Sequence, residues 1–95
     1  MATLCNAQGM NREEQEAAAL RRALALTLLR LREQKDIAQE HLAMESGVAR
    51  SHLSGLERSQ GNPTLHTIYR LLRHLEVNFT EFGRELDRHL HLKSR

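Results

Sequence analysis

Ninety-five residues limit this chain to one domain with a modest core. With 3% aromatics, no Trp, one Pro and five Gly, that core must be built from Leu, Ala, Ile and Val, a composition that favours an all-helical protein. A formal net charge of +2, with a pI near 9.2, excludes a polycationic tail and leaves any grip on phosphate to placed contacts and helix N-termini.

Residues 1–10 carry no hydrophobic period and are expected to be disordered. Cys5 stands alone, so no internal disulfide is possible, which fits a reducing cytoplasm. The opening residues lack the basic-then-apolar order of a signal peptide. From Asn11, a plausible N-cap followed by Glu13 and Glu14, the pattern turns helical. Leu20, Leu24, Leu28 and Leu31 recur at three- and four-residue spacing, predicting a helix to Lys35. That is long for so small a domain, and Leu26 and Leu29 widen its stripe enough to suggest a second buried surface. Arg21, Arg22, Thr27 and Arg30 make the stretch 20–31 too charged and too short to cross a bilayer.

Helix two is predicted over 38–46, ended by Gly47 in a positive-φ conformation, and helix three over 50–58. The loop 59–63 follows from its turn residues, and Thr64 caps a fourth helix through Leu65, Ile68, Leu71, Leu72 and Leu75. Arg70, Arg73 and His74 read as its solvated face. The period breaks at 77–79. Thr80 is then expected to cap helix five, with Phe82, Leu86 and Leu90 on one face, and residues 92–95 to fray. The domain is thus 11–91, an all-α five-helix bundle with an extended N-terminal helix.

Within it, 39–57 (QEHLAMESGVARSHLSGLE) has the layout of a helix-turn-helix. Leu42, Ala43, Val48, Leu53 and Leu56 fall where two short helices bury their inner faces. Gln39, Arg50, Ser51, Ser54 and Gly55 are left facing out, as in a motif whose second helix enters the DNA major groove. Residues 28–82 resemble the Cro/repressor, or Xre-like, helix-turn-helix. The matching pieces are LREQKDIAQEHLA, SGV, SHLSGLER, NPTL and LLRHLEV. The stretch RSHLSGLERSQGN is also similar to the controller proteins of restriction-modification systems, which typically have Tyr where this chain has His52.

The resemblance implies residue roles within the motif 38–58 and just beyond it. Gln39 looks like a clamp between phosphate and the reading helix. Arg50 and Ser51 open that helix, where Arg50 suits a guanine edge. Ser54 matches a position that meets base or phosphate. Gly55 either permits close backbone approach or leaves a base pair unread. Asn62 and Thr64 face phosphate, with His52 and Arg58 as further candidate contacts. Glu57 is expected in a buried pair with Arg32 or Arg58. Relatives usually carry Ser or Thr caps where this chain has Ala38 and Ala49, each missing cap costing roughly 1 kcal/mol. Asp36 is the candidate replacement cap for helix two. Ser59 stands where many relatives have Gly.

His89 and His91 at i, i+2 lie on different helix faces, so no metal site is expected beside Glu85. Neither a nucleophile–base pair nor a phosphate loop stands out, so neither an enzyme nor a cofactor is expected. The expected function is a homodimeric repressor binding double-stranded DNA at a pseudo-palindromic operator. The alternatives are a restriction-modification controller, or an antitoxin that also covers a toxin partner. Phe79, Phe82, Leu86 and Leu90 are the first candidate dimer interface, and the N-terminal helix the second.

Overall fold

The structure, a computed structural model, describes residues 11–90. The expected disorder at 1–10 and fraying at 92–95, together with Cys5 and His91, lie outside the described residues. Five α-helices follow in order, α1 Arg12–Gln34, α2 Gln39–Ser46, α3 Arg50–Glu57, α4 Leu65–Leu75 and α5 Phe79–Leu90, and no strand occurs among the described residues.

α1 starts where its chemistry says it should. Asn11 Oδ1 accepts from the Glu14 N–H at 2.8 Å, and Glu14 Oε1 accepts from the Asn11 N–H at 3.1 Å, a reciprocal capping box. α1 packs against α3 and α5, and α2 against α3 and α4. One core joins them, with Leu28, Leu42, Leu53, Leu56, Leu71, Leu72 and Leu75 almost wholly enclosed. At about 1.5–3 kcal/mol for each fully buried large aliphatic side chain, this leucine set dominates the favourable side of folding.

The second surface of α1 is buried, but by other residues than expected. Leu26 remains 50% exposed, while Ala23, Ala25 and Thr27 are enclosed. Small side chains let a neighbouring helix approach closely, and the Thr27 hydroxyl is satisfied by donating to the Ala23 carbonyl at 2.8 Å. An Arg30–Glu85 ion pair at 3.1 Å ties α1 to α5.

Two expected caps are corrected. Asp36 does not cap α2; it adopts φ +57 just beyond α1. The Asp36 N–H donates to Glu33 O and the Ile37 N–H to Arg32 O, a Schellman ending that closes α1 and turns Ile37 onto the core. Thr80 does not cap α5 either. Asn78 does, its Oδ1 accepting from the Glu81 N–H at 2.8 Å. Starting the helix at Phe79 sends Phe82 into the core and stacks Phe79 on Tyr69, with ring centroids 6.4 Å apart. Thr64 caps α4 as expected, accepting from the Thr67 N–H at 3.0 Å.

The chain turns left-handed just after each of the first four helices, at Asp36, Gly47, Ser59 and Glu76, and Gly47 is the glycine among these four. Asp36, Ser59 and Glu76 hold φ of 57–67° with a Cβ in place. At Ser59 the Gln60 N–H reaches Gly55 O at 2.8 Å, so the strained residue completes the exit from α3. Ser59→Gly should therefore raise stability by about 0.5–1 kcal/mol, read as a higher urea midpoint at unchanged slope. An unchanged or lower midpoint would contradict this account of the turn.

Candidate nucleic-acid interface

The turn between α2 and α3 is fixed from three sides. Gly47 has φ +76, a region that favours glycine. A Cβ there would also collide with the guanidinium of Arg70. Arg70 reaches over from α4, its Nε donating to the Ser46 carbonyl at 3.1 Å. The buried Ser46 hydroxyl accepts from the Val48 N–H at 3.3 Å. Arg70 is thus half-buried and structural, a correction to its reading as part of a solvated face. Arg73 lies over the Tyr69 ring at 6.0 Å, while His74 stays exposed.

α3 itself is amphipathic over two turns. Leu53 and Leu56 are buried, whereas Arg50, Ser51 and Arg58 are exposed and His52, Ser54 and Gly55 half-exposed. No ion pair involves Arg50 among the described residues, so its charge faces solvent. The absent caps are as expected: neither Ala38 nor Ala49 supplies a side-chain hydrogen bond to the helix it precedes. Gly55 in the interior of so short a helix costs about 1 kcal/mol relative to Ala.

One polar cluster holds α1, α2 and α3 in register behind that face. Arg32 Nε donates to Glu57 Oε2 at 2.7 Å and Arg32 Nη2 to Glu57 Oε1 at 3.0 Å, a bidentate pair. Arg32 Nη1 donates to the Ile37 carbonyl at 2.8 Å. Gln39 Nε2 donates to Glu57 Oε1 at 2.9 Å. Glu57 therefore pairs with Arg32, not Arg58, and anchors Gln39 as well. Hydrogen bonding to Glu57 raises the Arg32 pKa above its ordinary value against the opposing effect of burial, and the charges of Glu57 and Glu33 add to the rise. Gln39 keeps a second N–H on the same amide nitrogen, which leaves a donor for an acceptor outside the protein.

The sequence set Gln39 against the reading helix but did not name Glu57 as its partner there, since 18 residues separate them and only the fold brings them together. The remaining expected contacts are placed less closely. Arg58 is exposed, with Nη2 3.5 Å from Gln60 Oε1. Thr64 is exposed at the start of α4. Asn62 lines a groove of about 240 Å³ between α1, α4 and α5 together with Leu20, Leu65 and Leu86. On α5, His89 Nε2 lies 3.2 Å from Glu85 Oε2, a carboxylate already shared with Arg30. Among the described residues no cluster is arranged to hold a metal ion. No helix in the same range is long and apolar enough to cross a membrane.

The sequence profile of the helix-turn-helix family HTH_3 matches residues 28–82, from the last third of α1 through the first turn of α5. The chain belongs to this family. Membership places it among the Xre-like helix-turn-helix transcriptional regulators, with the all-helical fold expected from its sequence. Within HTH_3 it is 37% identical over 62 residues to the uncharacterized HTH-type transcriptional regulator y4dJ of Sinorhizobium fredii, spanning 65% of this chain and 80% of that protein. Solved structures of the restriction-modification controller protein C.Esp1396I are also similar. A point mutant superposes with a TM-score of 0.73 at 27% identity, covering 77% of this chain and 97% of that one. The same controller bound to a 19 base pair DNA duplex superposes with a TM-score of 0.70 at 28% identity, covering 75% and 95%. Nearly all of the controller is thus matched. The HTH_3 profile begins at residue 28, so the first two-thirds of α1, residues 12–27, precede the matched region.

Proposed function

We propose that this chain is a sequence-specific, homodimeric DNA-binding repressor that reads a pseudo-palindromic operator with α3. The observation that carries the reading is the outward face of α3. Arg50, Ser51, Ser54 and Gly55 lie together there, unengaged by the core, on a helix whose register is locked by Arg32, Glu57 and Gln39. Arg50 and Ser51 read base edges, while Gln39, Asn62 and Thr64 set register on phosphates. His52, Ser54 and Arg58 add contacts along the groove wall. Such a regulator works in the cytoplasm, where it meets chromosomal DNA.

Selection of bound duplexes from a random pool tests the reading directly. The expected result is a recurrent pseudo-palindrome with half-sites about 34 Å apart, one helical turn. Binding of all duplexes alike, or of none at low salt, would overturn it.

The dimer rests on a second surface. Tyr69 and Phe79, both nearly half exposed, stack on each other, and Phe82 packs edge-on beneath Phe79. Leu65, 72% exposed, adds to the same α4–α5 side. Of the residues expected at a dimer interface, Phe79 is free to pair, Leu86 and Leu90 are half-buried, and Phe82 belongs mainly to the monomer core. A second copy covering this cluster would remove it from water and place two reading helices in one assembly. Solution mass should give a dimer at micromolar concentration, and Phe79→Glu should give a folded monomer. A wild-type monomer would remove the dimer from the proposal.

The controller role is the favoured variant, because the match to C.Esp1396I spans almost the whole of that protein. Binding to DNA beside its own gene is the expectation for both roles, and transcript levels with and without the protein separate repression from activation.

A further inference from the structure

Two glycines of this chain are demanded by its own backbone, since Gly47 and Gly61 both hold positive φ. Gly55 is not. It sits in the interior of α3 without a left-handed backbone, and a Cβ built on it meets nothing closer than Gln60 Cβ and the Gln60 carbonyl oxygen, both at 3.9 Å, an ordinary contact. Alanine is the best helix former and glycine among the worst, so stability alone favours alanine at 55. The fold supplies no reason for the missing side chain, and the residue lies on the outer side of α3. Gly83, on the α5 face that carries Phe79 and Leu86, has open space where a Cβ would stand.

We propose that Gly55 is the point of closest approach between α3 and the wall of the DNA major groove. Its missing Cβ sets how deeply the helix seats. It is a positioning residue for base reading, and the inference rests on the DNA-reading role of α3. The major groove is about 12 Å wide, and a helix with its side chains is about 10–12 Å across, so little clearance remains. Ser51, Ser54 and Arg58 flank Gly55 on the outer side of α3, with Arg50 at the start of the same helix. A methyl group inserted among them pushes the helix axis outward and withdraws Arg50 from base edges, whose bidentate geometry tolerates little displacement. Phosphate contacts at the motif's rim are longer-ranged and survive that shift.

The test compares the full chain with Gly55→Ala and Gly55→Ser, using the duplex the wild type selects from a random pool and a scrambled duplex of equal length. Gly55→Ala should melt about 4–8 °C higher, as expected for an alanine replacing a helical glycine in a domain of this size. It should bind the selected duplex about tenfold or more weakly, while binding to the scrambled duplex stays within about twofold. Gly55→Ser should weaken selected binding in the same way, because the added atom and not its polarity is the cause. Undiminished selected binding by Gly55→Ala would overturn the proposal and leave the DNA-reading role intact, as would tighter binding by Gly55→Ser. A lower melting temperature for Gly55→Ala would place the need for glycine inside the fold and overturn it too. A wild type that selects no sequence would overturn the DNA-reading role itself, a distinguishable failure.

Discussion

Arg32→Ala should lower the stability of the domain by about 3 kcal/mol, at the low end of the range for removing one partner of a buried ion pair. Glu57 keeps only 6% of its side chain exposed and Arg32 only 15%. With Arg32 gone, the carboxylate loses its counter-charge and two hydrogen bonds, and Gln39 is left to satisfy it as a neutral donor. The Ile37 carbonyl loses its partner as well. For a domain of about this length the change corresponds to a fall in melting temperature of about 10–25 °C, measurable by circular dichroism. A loss below about 1 kcal/mol would show that the pair is solvated and would remove it from the account of the motif. Arg32→Met combined with Glu57→Leu should recover most of the loss, because two apolar side chains leave no unpaired charge behind. DNA binding should not recover in that double variant, since Gln39 has lost its anchor.

The pair should also leave stability flat across about pH 5 to 9 on the arginine side. Its raised pKa means that the stabilising contribution is complete below the unfolded-state value. That contribution disappears only as pH rises through the folded-state value, far above neutrality.

Arg50→Ala and Gln39→Ala should weaken DNA binding in two different ways. Arg50 is exposed in the first turn of α3, and under the proposed DNA-reading role its loss should remove about 1–3 kcal/mol of discrimination at one base pair of each half-site. In a dimer both half-sites are affected, so total affinity for the operator falls by the sum. Gln39 is held by Glu57 at the opening of α2 and keeps a second N–H to donate, and Gln39→Ala should weaken all duplexes alike. Competition binding against single-base variants of the selected site separates the two patterns. If both variants keep the wild-type base preference, or both lose it, the division between reading and clamping is wrong.

Much of this molecule was legible before any coordinates. Helix faces follow from the 3.6-residue period, which placed Leu28, Leu42, Leu53, Leu56, Leu71 and Leu75 inside and Arg50 and Ser51 outside. Asn11, Gly47 and Thr64 marked helix ends, because capping and positive φ are local chemistry acting over three or four residues. The family frame allowed Glu57 either of two arginine partners, and only the fold distinguished the one 25 residues away.

The sequence by itself determined elements, faces and the candidate reading helix, because these depend on neighbours one or two turns away. The tertiary structure alone decided the rest. Local chemistry pointed to Thr80 as the cap of α5. The choice fell to Asn78 because that start sends Phe82 into the core and Phe79 onto Tyr69. Asp36 became a turn and not a cap because Ile37 packs on the core directly after it. Arg70 left the solvated face of α4 because the Ser46 carbonyl, 24 residues earlier, lies within its reach. In each case a long-range contact selected among conformations that local chemistry left open, and only close packing of the helices could make that selection.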